Sequence, residues 1–142
     1  MFVSHTVHID APPAKVWDVL ADVERLPEFA PQFKSVVRKE EGPLAMGSSA
    51  RVTPHGFFGS VWTVTQLEPG RSFAWESGML PGVHLLGDHV IEHEGDSSSV
   101  TFSLRSSGPL AGLLGLALGR IFRRNTRQAA EGLKAFCEGA RS

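Results

Sequence analysis

The chain has 142 residues, 42% of them apolar and 20% charged, which is the balance of one domain able to bury about 68% of its unfolded surface. Fourteen basic against fifteen acidic side chains leave a formal net charge of −1, so no overall field draws it to nucleic acid or to anionic membrane. The single cysteine, Cys137, excludes an internal disulfide and a thiolate metal cluster; it reads as a buried helix residue in a reducing compartment.

The N-terminus alternates polar and apolar residues at Val3, His5, Val7 and Ile9, the period of a half-buried strand. No basic stretch precedes an apolar run, so no signal peptide is expected and the cytoplasm is the expected location. Asp10, Pro12 and Pro13 end the alternation, and Asp10 suits a turn or an N-cap. Val16, Trp17, Val19 and Leu20 then fall at helical spacing. A second short helical piece spans Asp22 to Glu28, where Pro27 and Pro31 disrupt the backbone pattern.

From Phe33 to Ser106 the pattern predicts roughly six more strands, separated by turn signals at Glu41-Gly42-Pro43, Glu68-Pro69-Gly70, Met79 to Gly82 and Gly95-Asp96. Alternation is clearest at Trp62, Val64 and Gln66, at Phe73, Trp75 and Ser77, and at Val100, Phe102 and Leu104. One sheet face therefore carries aromatic and aliphatic bulk, and the other is polar. After Gly108-Pro109 no further proline occurs, and apolar residues recur from Leu110 through Leu114, Leu118, Ile121 and Phe122 to Leu133 and Phe136, the signature of one long helix. No repeat, low-complexity tract or linker divides the chain, so residues 1–142 read as a single domain. Its physical solution is an α+β fold, a curved antiparallel sheet of about seven strands wrapped around the last helix, with two short helices after the first strand. A gap between sheet and helix is where a ligand fits.

The run Ala11-Pro12-Pro13-Ala14-Lys15-Val16-Trp17-Asp18-Val19-Leu20-Ala21-Asp22, followed by Leu26-Pro27-Glu28-Phe29 and Pro31, resembles the opening of the START-like, or polyketide cyclase/dehydrase (SRPBCC, helix-grip), superfamily. Gly47, Leu67 to Arg71 leading to Phe73-Ala74-Trp75, His89-Val90-Ile91, Gly108-Pro109-Leu110 and Gly132-Leu133-Lys134 follow in the same order, so the resemblance covers nearly the whole chain. It implies a helix-grip fold with a hydrophobic cavity. Members include lipid, sterol, ubiquinone and hormone binders as well as aromatase and cyclase enzymes, so fold guides chemistry only by association.

Among candidate residues, His89 shares a strand face by parity with Leu85, Gly87 and Ile91, and the resemblance turns this face toward the cavity. A neutral imidazole there donates one hydrogen bond, accepts another and suits acid/base work near neutral pH; a structural histidine is the plain alternative. Trp62, Phe73, Trp75, Ile91, Phe102 and Leu104 are expected to bind the ligand as apolar walls, although core packing explains the same residue types. No tyrosine is present, which leaves histidine, carboxylate, arginine or water for any catalysis.

Metal binding is not expected. His89 and His93 would lie ~13 Å apart along one strand at about 3.3 Å per residue, and His5 and His8 point to opposite faces. Neither a Gly-x-Ser-x-Gly elbow, a His-Glu-x-x-His motif nor a phosphate-binding glycine fingerprint occurs, and no cofactor is expected.

Gly112, Gly115 and Gly119 each cost about 1 kcal/mol inside a helix, which close packing against the sheet or the loop from Met79 to Leu86 would offset; a gate near Pro109 to Leu116 is the alternative. Leu110 to Leu118 is apolar almost all round but falls short of the ~20 residues of a membrane span. Arg120, Arg123, Arg124 and Arg127 follow it, either as a solvated face or as a contact for anionic lipid or a ligand phosphate. Two apolar loops, Pro54 to Gly59 and Gly78 to Gly82, are candidates for the pocket mouth or for a homodimer contact.

The leading expectation is thus binding or carriage of a hydrophobic lipid, quinone or polyketide-like molecule, oriented by His89. One alternative is a polyketide cyclase/dehydratase in the same cavity, with His89 as acid/base and Arg51 or Glu92 assisting. Another is a protein-partner interaction module.

Overall fold

The computed structural model describes residues 1–56 and 58–139, the side chains of 79 and 80 excepted. Phe57, Met79 and Leu80, named above as part of the two apolar loops, therefore lie outside the described residues or side chains.

Strand β1 (Phe2–Ile9) buries Val3, Val7 and Ile9 on one face, as its alternation predicts. Helix α1 (Pro13–Ala21) starts at Pro12 and Pro13, whose fixed φ suits a first turn that needs no N–H partner. Pro12 is the N-cap, so Asp10 does not cap the helix; the Asp10 backbone N–H instead donates to Glu138 Oε2 at 2.9 Å. A single 3₁₀ turn (Val23–Arg25) leads into the four-residue α2 (Leu26–Phe29), and Pro27 sits in the first turn of α2 rather than ending a helix.

Six strands follow: β2 (Phe33–Arg38), β3 (Ser49–Pro54), β4 (Ser60–Glu68), β5 (Ser72–Leu80), β6 (Val83–Glu94) and β7 (Ser97–Ser107). They pair as an antiparallel meander, and β1 returns to the far edge beside β7, giving the order β1-β7-β6-β5-β4-β3-β2. Register shifts between Phe33 and Ser35, Val64 and Gln66, and Ser77 and Leu80 interrupt the ladders. Such irregularities bend a strand and raise its twist, which curls the sheet.

Helix α3 (Ala111–Gly139) lies in the resulting concavity. Its C-terminal half is the anchor: Ala129, Ala130, Leu133 and Cys137 are buried in one core with Ile9, Val16, Phe29, Phe73, Ile91 and Val100. Gly132 explains how closely it seats, because a Cβ at that position would fall 1.8 Å from the Phe29 carbonyl oxygen. Only glycine leaves room for the α2 backbone there.

The N-terminal half of α3 is held differently. Leu114 joins Val83 and Leu85 in a small satellite cluster, while Leu113 and Leu116 are 65% and 88% exposed. A Cβ at Gly112 or Gly119 would meet nothing within 4 Å, and one at Gly115 would approach only the Met1 side chain. Close packing on the sheet therefore does not account for these three glycines. The tight contact with the β5–β6 turn is made just before the helix, where Gly108 (φ +106°) would place a Cβ 2.6 Å from the Gly82 oxygen and the Leu110 N–H donates to that oxygen at 3.0 Å.

Candidate functional site

Sheet and helix part company between the two ends of α3, enclosing a cavity of about 260 Å³. That is just below the range of about 300–1,000 Å³ typical of small-molecule sites. The sheet supplies Trp62 from β4, Trp75 from β5, Leu85, Gly87 and His89 from β6, and Phe102 and Leu104 from β7. The helix supplies Leu118, Ile121, Phe122 and Ala129 as the opposing wall. Phe33, Pro54 and Phe58 form the rim, and Phe58 is 65% exposed.

Alternation dictates this lining. On β6 the residues Leu85, Gly87, His89 and Ile91 face inward, and on β7 Val100, Phe102 and Leu104 do the same. Gly87 adds space as well as a face, since a Cβ there would lie 3.3 Å from two atoms of the Trp75 indole. The two indoles of Trp62 and Trp75 lean together with centroids 5.8 Å apart, making one broad aromatic floor.

His89 sits at the inner end of this floor. Its ring stacks on Phe73 with centroids 4.3 Å apart and planes at 20°, and meets Phe102 and Trp75 edge-on at 5.0 and 6.2 Å. Its Nδ1 lies 3.2 Å from the carbonyl oxygen of Phe73, the residue opposite it in the β5–β6 register. On its far side a second space of only about 20 Å³ lies among Leu20, Val23, Phe29 and Phe73. Burial among these rings pushes the imidazole pKa down to about 4, and the hydrogen bond to the Phe73 carbonyl offsets this only in part. The ring is neutral at pH 7.

The other polar residues of the wall are few: Ser60, Trp62, Trp75, Ser103, Asn125 and Thr126. The Trp62 indole N–H donates to Ser60 Oγ at 3.1 Å, and the Thr126 hydroxyl donates to the Phe122 carbonyl at 2.8 Å. The Asn125 backbone carbonyl accepts from the Gln32 side-chain amide at 3.0 Å. Among the described residues, no carboxylate or basic side chain other than His89 lines the space.

Of the residues singled out from sequence, Trp62, Trp75, His89, Phe102 and Leu104 meet around the cavity. Phe73 supports the His89 ring from behind and borders only the smaller space, while Ile91 is 2% exposed and packs in the main core beyond the cavity. Arg51 and Glu92 require a correction. Arg51 lies between the buried Ala50 and Val52, and Glu92 follows the buried Ile91, so both project from the outer, solvated face of the sheet. Arg51 instead donates to the Gly59 carbonyl across the β3–β4 loop at 3.3 Å. Residues the sequence argument left unassigned, Leu118, Ile121, Phe122 and Ala129, form the helix wall; the i, i+3, i+4 spacing of the first three already marked them as one face. Among the described residues no cluster of three or more histidine, cysteine or acidic side chains is placed to hold a metal, and no helix is long and apolar enough to cross a membrane.

Comparisons with known proteins agree with this architecture. Among solved structures, the chain superposes on the Zhui aromatase/cyclase from Streptomyces sp. R1128 with a TM-score of 0.79 at 23% identity, covering 100% of this chain and 96% of that one. The protein TTHA0849 from Thermus thermophilus gives 0.78 at 19% identity over 100% of both chains. A hypothetical protein from Helicobacter pylori gives 0.83 at 17% identity, covering 96% of this chain and 88% of that one. At such identities the likeness is one of fold. No curated protein matches the sequence. The family model described as polyketide cyclase / dehydrase and lipid transport, however, matches residues 2–138. With a seven-stranded curled sheet closed over a long C-terminal helix, the chain belongs to this polyketide cyclase / dehydrase and lipid transport family of the START-like superfamily.

Proposed function

We propose that the protein binds a neutral, largely apolar small molecule of the lipid, quinone or polyketide-like class between the sheet and α3, and carries it without covalent chemistry. The observation that supports this reading best is the aromatic cavity of about 260 Å³ with His89 as its one titratable lining residue among those described. A cyclase or dehydratase in the same space needs a proton donor and acceptor working together. Arg51 and Glu92, the partners considered for that task, lie on the outer face, which favours carriage over turnover. The test is a titration with the neutral fluorescent probe N-phenyl-1-naphthylamine. Saturable binding to the wild-type protein, abolished by the cavity-filling Leu118→Trp with thermal stability retained, is expected; binding that is undiminished in that variant places the probe elsewhere and overturns the reading.

A specific feature favours loading from an anionic lipid surface. Leu113 and Leu116 project from the outer face of α3, and Arg120, Arg123, Arg124 and Arg127 continue that same face over the next two turns. Apolar side chains that enter the acyl boundary beside a cationic band that meets headgroups are the elements of an interfacial helix. Ile121 lies on the adjoining edge, 36% exposed, and borders the cavity. Cosedimentation with vesicles containing phosphatidylglycerol, but not with pure phosphatidylcholine, is the expected result, and an Arg120→Glu/Arg124→Glu variant should lose it. Equal partition to both vesicle types would contradict the electrostatic part of this account.

A further inference from the structure

The hydrogen bond made by His89 fixes more than the ring's position. A carbonyl oxygen has no proton to give, so the 3.2 Å contact with the Phe73 carbonyl requires that Nδ1 carry the hydrogen and donate it. The ring is uncharged: it stacks on Phe73, is boxed by Trp75 and Phe102, and no carboxylate among the described residues lines the space to stabilise an imidazolium. A neutral imidazole with its proton on Nδ1 has only a lone pair on Nε2. The depressed pKa described above is in accord with this assignment. Nε2 has no hydrogen-bond partner among the described residues, although the ring forms part of the cavity wall.

We propose, building on the binding reading above, that the cavity selects a ligand with a hydroxyl group, a phenol or alcohol on an apolar body, that donates its hydrogen bond to Nε2 of His89. Two wall donors do not compete for this acceptor, because the Trp62 N–H is spent on Ser60 and the Thr126 hydroxyl on Phe122. No hydrogen bond is made by the Trp75 indole N–H among the described residues, and Trp75 lines the same cavity, so a hydroxyl, which both donates and accepts, matches this donor and the Nε2 acceptor together. A ketone or ether offers His89 no proton. A carboxylate brings a charge into a wall where no described side chain is cationic, which is costly in an apolar interior.

The experiment is a calorimetric or tryptophan-quenching titration of the full chain with a matched series: naphthalene, 2-naphthol, 2-methoxynaphthalene and 2-naphthoate. The wild-type protein should bind 2-naphthol about five- to tenfold more tightly than 2-methoxynaphthalene, the scale of one matched hydrogen bond, and 2-naphthoate least well. In His89→Phe, which keeps an aromatic ring and removes the acceptor, the two neutral oxygenated probes should bind alike. Failure of every probe to bind the wild-type protein overturns the binding reading itself. Binding of the series without a preference for 2-naphthol, or a preference that survives His89→Phe, overturns the hydroxyl inference and leaves the binding reading standing. Long-range proton–nitrogen NMR of the wild-type protein provides a second check that needs no variant: a proton on Nδ1 is expected, and a proton on Nε2 contradicts the proposal.

Discussion

His89 carries a histidine's usual capacity to change charge into a place where charge is penalised. Its pKa in the folded protein, about 4, lies below its ordinary 6.5. Between these values the unfolded chain binds more protons than the folded one, so stability rises with pH across that window. The contribution is complete above about pH 6.5, is lost as pH falls toward 4, and changes no further below. Its size is of order 3 kcal/mol over the window. Urea denaturation at pH 7 and pH 4.5 should show this loss in the wild-type protein and a clearly smaller one in His89→Phe; equal losses would mean that another group carries the pH dependence. Cys137 makes a second residue-scale case. Burial pushes its thiol up to about 11 and it has no exposed surface, so a thiol reagent should label it only after denaturation. Rapid labelling of the native protein would show that the α3 anchor opens locally. Both residues were readable in part: strand parity grouped His89 with Leu85 and Ile91 and the resemblance turned that face inward, while the burial habit of a free cysteine placed Cys137 inside. The tautomer of His89 was not readable, because it depends on a carbonyl sixteen residues away that only sheet register brings near.

At the scale of the element, α3 is two helices in one. Its C-terminal half is clamped, and its N-terminal half is loosely covered and carries glycines with open space around them. Opposite responses to the same substitution are therefore expected. Gly132→Ala should destabilise by about 1–3 kcal/mol, because its methyl has to displace the Phe29 backbone. Gly112→Ala should instead stabilise by up to about 1 kcal/mol, since the added methyl meets nothing and the helix gains propensity. Thermal or chemical denaturation of the two variants decides this, and a common sign would contradict the division of the helix. Sequence marked Gly112 as costly and Gly132 only as part of an ordered motif, and could not tell which of them tolerates a side chain. The cost of a methyl is set by what stands opposite, and for Gly132 that is α2, far earlier in the chain. Apart from Ala129, which borders both, the α3 residues that face the cavity precede those that hold the main core, so the wall formed by Leu118, Ile121 and Phe122 can shift without loss of that core.

For the whole molecule, the number of strands, the two short helices and the long final helix follow from periodicity and turn signals, and the ordered motifs point to the superfamily. The cavity was legible as a gap that a curved sheet leaves beside its helix and as an implication of that family, but its lining was not. Phe73, Trp75, Ile91 and Phe102 are all inward and all apolar, and whether such a residue borders space or another side chain depends on sheet curvature and on how far α3 stands off. The placement of Arg51 and Glu92 was legible and was overridden: their apolar neighbours Ala50, Val52 and Ile91 already assign both to the outer face by alternation. The result is a fold whose tight half specifies the architecture and whose looser half borders the cavity. The most direct test of that claim is mass spectrometry of an organic-solvent extract from freshly purified native protein, with Leu118→Trp and an unrelated protein handled identically. The account predicts a near-stoichiometric neutral apolar compound bearing a hydroxyl group from the wild-type protein and its loss from Leu118→Trp; the same compound in equal amount from both variants would contradict it.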